Sequence, residues 1–173
     1  MKFLTIPKTI FLLFASLSLT ASAQDNLILN PGFERYQSLP NKDGCFNGFI
    51  SNWSNLNDKV GYPNATPDYL HKKGTGSGAV SSYYYSKVEP YEGDAMMGVI
   101  VMPKRNFYEY VCAKLAKSLQ KGKRYQVSFM INNGDPQYCK CSGKGFGLYF
   151  SNSIPKQREA ERVNIEPQWM IEN

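Results

Sequence analysis

Tyr125-Gln126-Val127-Ser128-Phe129-Met130-Ile131-Asn132 is the stretch on which the fold class turns. Tyr125, Val127, Phe129 and Ile131 alternate with Gln126, Ser128, Met130 and Asn132, and a period of two is the signature of a β-strand with one buried face. The turn Gln120-Lys121-Gly122-Lys123 precedes it and the loop Asn133-Gly134-Asp135-Pro136 follows it. Outward from there, Phe146, Leu148 and Phe150 alternate again, and Val163-Asn164-Ile165 reads as a last strand. Upstream, residues 108–115 mix apolar and polar types as a strand does. Residues 96–102 form a near-continuous apolar run, expected to be central or buried on both faces. Leu27-Ile28-Leu29 and Phe49-Ile50 give two earlier strands, and Asn30-Pro31-Gly32 turns the first. Short apolar runs punctuated by 14 Gly and 10 Pro predict an all-β chain. The stretch 55–82, rich in Asn, Gly, Pro and Ser, is expected to be irregular and is longer than an ordinary connection.

The N-terminus reads as an export signal. Lys2 and Lys8 precede the apolar run Ile10-Phe11-Leu12-Leu13-Phe14-Ala15, and Ala21-Ser22-Ala23 is a small-x-small cleavage site. Residues 1–23 are therefore expected to be a signal peptide, and residues 24–173 a single β-sandwich domain. The apolar run is too short to span a bilayer. No transmembrane span is expected in the mature chain, and no Cys follows the cut to carry a lipid. The formal net charge of +6 falls to +4 once the two leader lysines are removed. The remaining basic residues are scattered, which gives no footprint for nucleic acid. Cys45, Cys112, Cys139 and Cys141 are disulfide candidates, because exported cysteines usually pair. Cys112 is expected to join Cys139 or Cys141, leaving Cys45 for the other; the spacing does not match a zinc site.

Catalytic chemistry finds little material. His71 is the one histidine, beside Lys72 and Lys73, and reads as an exposed loop residue whose basicity the lysines depress. There is no G-x-S-x-G, no phosphate-binding loop and no dinucleotide fingerprint. Glu34, Asp68, Glu89, Glu92, Asp94 and Glu109 are acids of the type that paired-carboxylate glycosidases use, but spacing does not say which of them meet. The chain is expected not to be an enzyme. What stands out is aromatic content, 12 Tyr, 10 Phe and 2 Trp, since Tyr joins an apolar face to a hydroxyl edge.

A resemblance runs along nearly the whole mature chain. Asn26-Leu27-Ile28-Leu29-Asn30-Pro31-Gly32-Phe33-Glu34 resembles the N-L-(V/I)-x-N-x-x-F-E opening of galactose-binding-like jelly rolls, including carbohydrate-binding modules. Trp53 with Thr66-Pro67-Asp68-Tyr69, the segment from Glu89-Pro90 to Gly98, and Tyr108-Glu109-Tyr110 are similar to segments of bacterial surface and outer-membrane proteins. So are residues 119–129, 147–151 and Glu166-Pro167-Gln168. Many of those proteins carry an OmpA-type domain further along. The resemblance implies an all-β jelly-roll β-sandwich, galactose-binding-like, that lacks its last strands. It implies a non-catalytic exported binding or adhesion module at the bacterial cell envelope, with glycan or cell-wall polymer, or other envelope proteins, as partner. A structural envelope protein without a ligand is the alternative, and a glycoside hydrolase the third reading. The location expected is periplasm, outer-membrane surface or extracellular. At Glu34 the resemblance implies a structural calcium, against a plain turn residue. Asp68, Tyr69, Tyr83, Tyr84, Tyr85, Tyr108 and Glu109 are the expected ligand-binding residues, aromatic faces for stacking and acids for hydroxyls. Trp53 serves either that surface or the core.

Overall fold

Asp68-Tyr69-Leu70-His71 carries no run of apolar residues, yet all four of its side chains are buried in the computed structural model. The structure describes residues 25–57, 66–102, 105–135, 137, 146–157 and 162–171. The expected signal peptide, Cys139 and Cys141 lie outside these residues. Among them the strands are β1 (Trp53–Asn55), β2 (Asp68–His71), β3 (Ala95–Gly98), β4 (Val101–Met102), β5 (Phe107–Tyr108), β6 (Val111–Ala113), β7 (Phe146–Leu148) and β8 (Trp169–Ile171). They pair antiparallel in four two-stranded ladders: β1 with β6, β2 with β3, β4 with β5 and β7 with β8. The described residues contain no α-helix, only the 3-10 turns Gly76–Gly78 and Val80–Ser82. The class is all-β. None of the described helical segments is long and apolar enough to cross a membrane.

The β2–β3 ladder is the centre of the core. Its register sets Tyr69 opposite Met97 and Leu70 opposite Met96. Because successive strand side chains point to opposite faces, the two pairs serve different clusters. Tyr69 joins Phe46, Ile50 and Ala95, with Phe33, Phe49, Trp53 and Met97 packed around them. Leu70 joins Val80 and Tyr83, with Met96 against them. Both faces of this ladder are therefore covered, which removes the alternation that marks a half-buried strand.

Asn30 ties the N-terminal turn to this core. Its buried side chain donates to the carbonyls of Arg35 and Ser51, both at 2.9 Å, and accepts from the Arg35 amide at 3.0 Å. Its carbonyl accepts the Trp53 indole N–H at 2.8 Å. The turn places Phe33 at φ 64°, a left-handed conformation costly for a bulky residue, and holds its ring 5.1 Å from Trp53. Trp53 thus belongs to the core side of the two readings.

Several sequence expectations change. Leu27-Ile28-Leu29 forms only an isolated bridge, Ile28 with Leu115, and Ile50 another, with Tyr36. The run 96–102 is split into β3 and β4, and 108–115 is interrupted at Glu109 and Tyr110. Val163-Asn164-Ile165 is not a strand; the last strand is β8. Tyr125–Ile131, the cleanest alternating segment, pairs with no strand, and all of it is exposed. Alternation reports what a face would pack against, and no described layer covers this one.

These burials predict contrasting costs. Leu70→Ala should destabilise by about 2–5 kcal/mol through the cavity it leaves. Val127→Ala should stay within about 0.5 kcal/mol. Urea denaturation measures both, and equal losses would contradict this placement of the core.

A candidate binding surface on a buried acid network

The site begins one register pair from the core. Asp68 opens β2 opposite Gly98 of β3. A side-chain carbon at Gly98 would lie 2.6 Å from the Tyr83 hydroxyl, so the glycine leaves the space that hydroxyl fills. Tyr83 follows the 3-10 turn Val80–Ser82 and donates its hydroxyl to Asp68 Oδ2 at 2.5 Å. Asp68 Oδ1 accepts the Gly44 amide, also at 2.5 Å. Both oxygens of this carboxylate, 3 % exposed, are engaged by the protein.

Glu109 is the second buried acid. It interrupts the strands β5 and β6, where its Oε2 accepts the Ile100 amide at 2.6 Å. Its own amide donates to the Ile100 carbonyl at 3.1 Å. Burial, opposed by the backbone hydrogen bonds from Ile100 and Thr66 and reinforced by the nearby Asp68 charge, leaves the Glu109 carboxyl pushed up to about 8. Burial likewise pushes Asp68 above the ordinary carboxylate range; the Tyr83 hydroxyl and Gly44 amide pull it back, and Asp43 raises it. Burial and the Asp68 charge hold the Tyr83 hydroxyl protonated well above the usual tyrosine range.

Above this network stand two exposed rings. Tyr85 meets the buried Tyr83 edge-on at 5.7 Å, and Tyr84 meets Tyr85 at 5.2 Å and 87°. Tyr84 is 55 % exposed and Tyr85 36 %. The Tyr85 carbonyl accepts the Asp135 amide at 2.8 Å, which ties this segment to the loop after the alternating stretch. Of the expected ligand-binding residues, the structure links Asp68, Tyr83, Tyr84, Tyr85 and Glu109. Tyr69 lies in the cluster on the opposite face of β2, its hydroxyl on the Phe33 carbonyl at 3.2 Å. Tyr108 stacks on Tyr110 at 6.4 Å instead of on Tyr84 or Tyr85. The Gly44 and Ile100 amides and the space at Gly98 were not foreseen. Backbone donors carry no residue signature, so nothing in the sequence marked them.

A second group surrounds Glu34. Ligand atoms of Glu34, His71 and Asp94 lie within 4.8 Å of one another. Glu34 Oε1 accepts the amides of Asp94 at 2.9 Å and Ala95 at 3.0 Å, bridging the N-terminal turn to the start of β3. Gly93, at φ 70°, lets the backbone pass over this carboxylate, where a side-chain carbon would collide with it. His71 is not an exposed loop residue: it ends β2 at 2 % exposure, and its Nδ1 accepts the Lys73 amide at 3.0 Å. Burial lowers its basicity, Glu34 and Asp94 raise it, and Lys73 lowers it. Lys72 and Lys73 approach Asp94 at 4.0 and 3.8 Å. Calcium takes six to eight oxygen donors. Here one donor is a histidine nitrogen, and the carboxylates already serve two amides and two ammonium groups. This donor set does not fit calcium; it fits a clamp between Glu34 and β3.

Cys45 is buried and its thiol lies 3.5 Å from Asn41 Oδ1; Cys112 is half-buried on β6. Both are free thiols, and the partners expected for them are outside the described residues. Comparison with protein-family models, curated proteins and solved structures found no match to this chain.

The network sets a pH dependence. Glu109 binds its proton more tightly folded than unfolded, so its stabilisation is complete below about pH 4.5 and is lost as pH rises to about 8. Asp68 acts in the same direction; His71, with lowered basicity, acts oppositely. Glu109→Gln isolates the larger effect. Between pH 5 and 8 the wild type should lose stability relative to this variant, by up to about 1.4 kcal/mol per pH unit. Parallel urea-melt profiles for the two proteins would refute the buried proton.

Proposed function

We propose that this chain is a non-catalytic exported module of the bacterial cell envelope that binds glycan or cell-wall polymer through Tyr84 and Tyr85. The observation that carries the reading is the pair of exposed, mutually perpendicular rings backed by a tyrosine fixed to a buried carboxylate. A sugar offers C–H faces to an aromatic ring and hydroxyls to its polar edge, and tyrosine supplies both at small conformational cost. Preorganisation matters because a ring already held in place loses less entropy on binding. The same reading takes the four ladders as parts of a jelly-roll β-sandwich and residues 1–23 as its export signal. Asp68 and Glu109 argue against the glycosidase alternative. They are 3 % and 8 % exposed, and Asp68 has both oxygens satisfied, whereas hydrolysis needs two carboxyl groups facing the scissile bond.

A glycan and cell-wall polymer array tests this. Binding should fall about tenfold or more in Tyr84→Ala and in Tyr85→Ala, about 1.4 kcal/mol. Tyr84→Phe, which keeps the ring face, should retain most of it. Absence of binding to every sugar and polymer would remove the carbohydrate reading and leave a structural role in the envelope.

A further inference from the structure

The alternating segment, strand-like in its sequence period, pairs with no strand among the described residues. Among the described residues, no backbone N–H or C=O of residues 124–132 enters a hydrogen bond, although the turn before it closes through Lys123 to Gln120 and the loop after it is held at Asp135. Tyr125, Val127, Phe129 and Ile131 are 40 %, 44 %, 43 % and 48 % exposed, and Met130 is 67 % exposed. Phe129 meets Phe146 of β7 at 6.3 Å, and no described strand pairs along the segment's edge. A row of unpaired amides and carbonyls beside β-branched and aromatic side chains is a template for another strand.

The charges select the partner and its direction. Residues 125–133 carry no charge, Lys121, Lys123 and Arg124 lie at one end, and Asp135 lies at the other. A parallel, in-register pairing of two copies would set Lys121, Lys123 and Arg124 against themselves, which is unfavourable. An antiparallel pairing with Ser128 on the axis sets Tyr125 opposite Ile131 and Val127 opposite Phe129. It also sets Arg124 opposite Asn132 and Lys121 opposite Asp135. Every apolar odd-numbered residue then meets another, and the one acid meets a base. Such a contact is isologous and closes at two copies.

We propose that residues 124–132 pair antiparallel with the same residues of a second copy of this chain, about a two-fold axis through Ser128, giving a homodimer. In this dimer each Ser128 faces its counterpart, so one substitution acts twice. The purified protein, Ser128→Lys and Ser128→Asp are compared by sedimentation velocity over a concentration series. Ser128 is exposed, and thermal melts confirm that each variant folds. The wild type should sediment as a dimer, and each variant alone should dissociate at least about tenfold more readily from like-charge repulsion. An equimolar mixture of the two variants should recover the dimer, because Lys then faces Asp. A monomeric wild type overturns the proposal. So does a dimer indifferent to both substitutions, a mixture that stays monomeric, or assembly beyond two copies.

Discussion

The hydrogen bond from Tyr83 to Asp68 is the contact on which the other parts of this molecule converge. It spans 15 residues of chain and joins the first position of β2 to the segment that carries the exposed tyrosines. Asp68 also holds the loop at Gly44, and β2 itself is paired with β3, so one carboxylate fixes three separate stretches of backbone. A buried carboxylate with one partner missing would cost several kcal/mol. The geometry that avoids this cost is the geometry that holds Tyr83 upright beneath Tyr85. Packing supplies most of the stability, through the clusters on the two faces of β2. The polar bond supplies the position.

The neighbouring acid makes this arrangement conditional. Two carboxylates buried near one another do not both ionise without penalty, and burial pushes both Asp68 and Glu109 above the ordinary carboxylate range. Burial is the largest influence on both; Asp68 is pulled back by a tyrosine hydroxyl and the Gly44 amide, and Glu109 by backbone amides. The Glu34–His71–Asp94 group is built on a different plan. It lies at the other end of β2, its charges are matched by Lys72 and Lys73, and its carboxylate closes onto backbone amides. One end of β2 is therefore held by a proton-dependent network and the other by an ion-paired clamp.

The sequence made the β class legible, because Gly and Pro cut the chain into runs too short for helices. It placed β7 within residues 146–150, but the run 96–102, expected to be central or buried on both faces, holds no fully buried residue, and its Val99 and Val101 are exposed. β2 was not legible: with both faces covered, its side chains show no period, and it lay inside a stretch read as irregular. Alternation at 125–131 misled in the opposite sense, since it describes a strand's capacity to pair and not the presence of a partner. For the site, Asp68, Tyr83, Tyr84, Tyr85 and Glu109 were picked out by residue type and resemblance. Their depth was not visible, because burial of an acid depends on donors such as the Gly44 and Ile100 amides that any residue supplies. His71 was misplaced for the same reason: flanking lysines suggested solvent, while the strand register carried its ring inward against Tyr36, at 5.2 Å.

The proton on Glu109 is the most exacting consequence of the network beneath the tyrosines. Carboxyl-carbon NMR across a pH series reads it at the single residue. The account predicts a midpoint near 8, well above the ordinary glutamate value of 4.5. A midpoint near 4.5 would mean that water reaches this carboxyl, and the buried acid network described here would not exist.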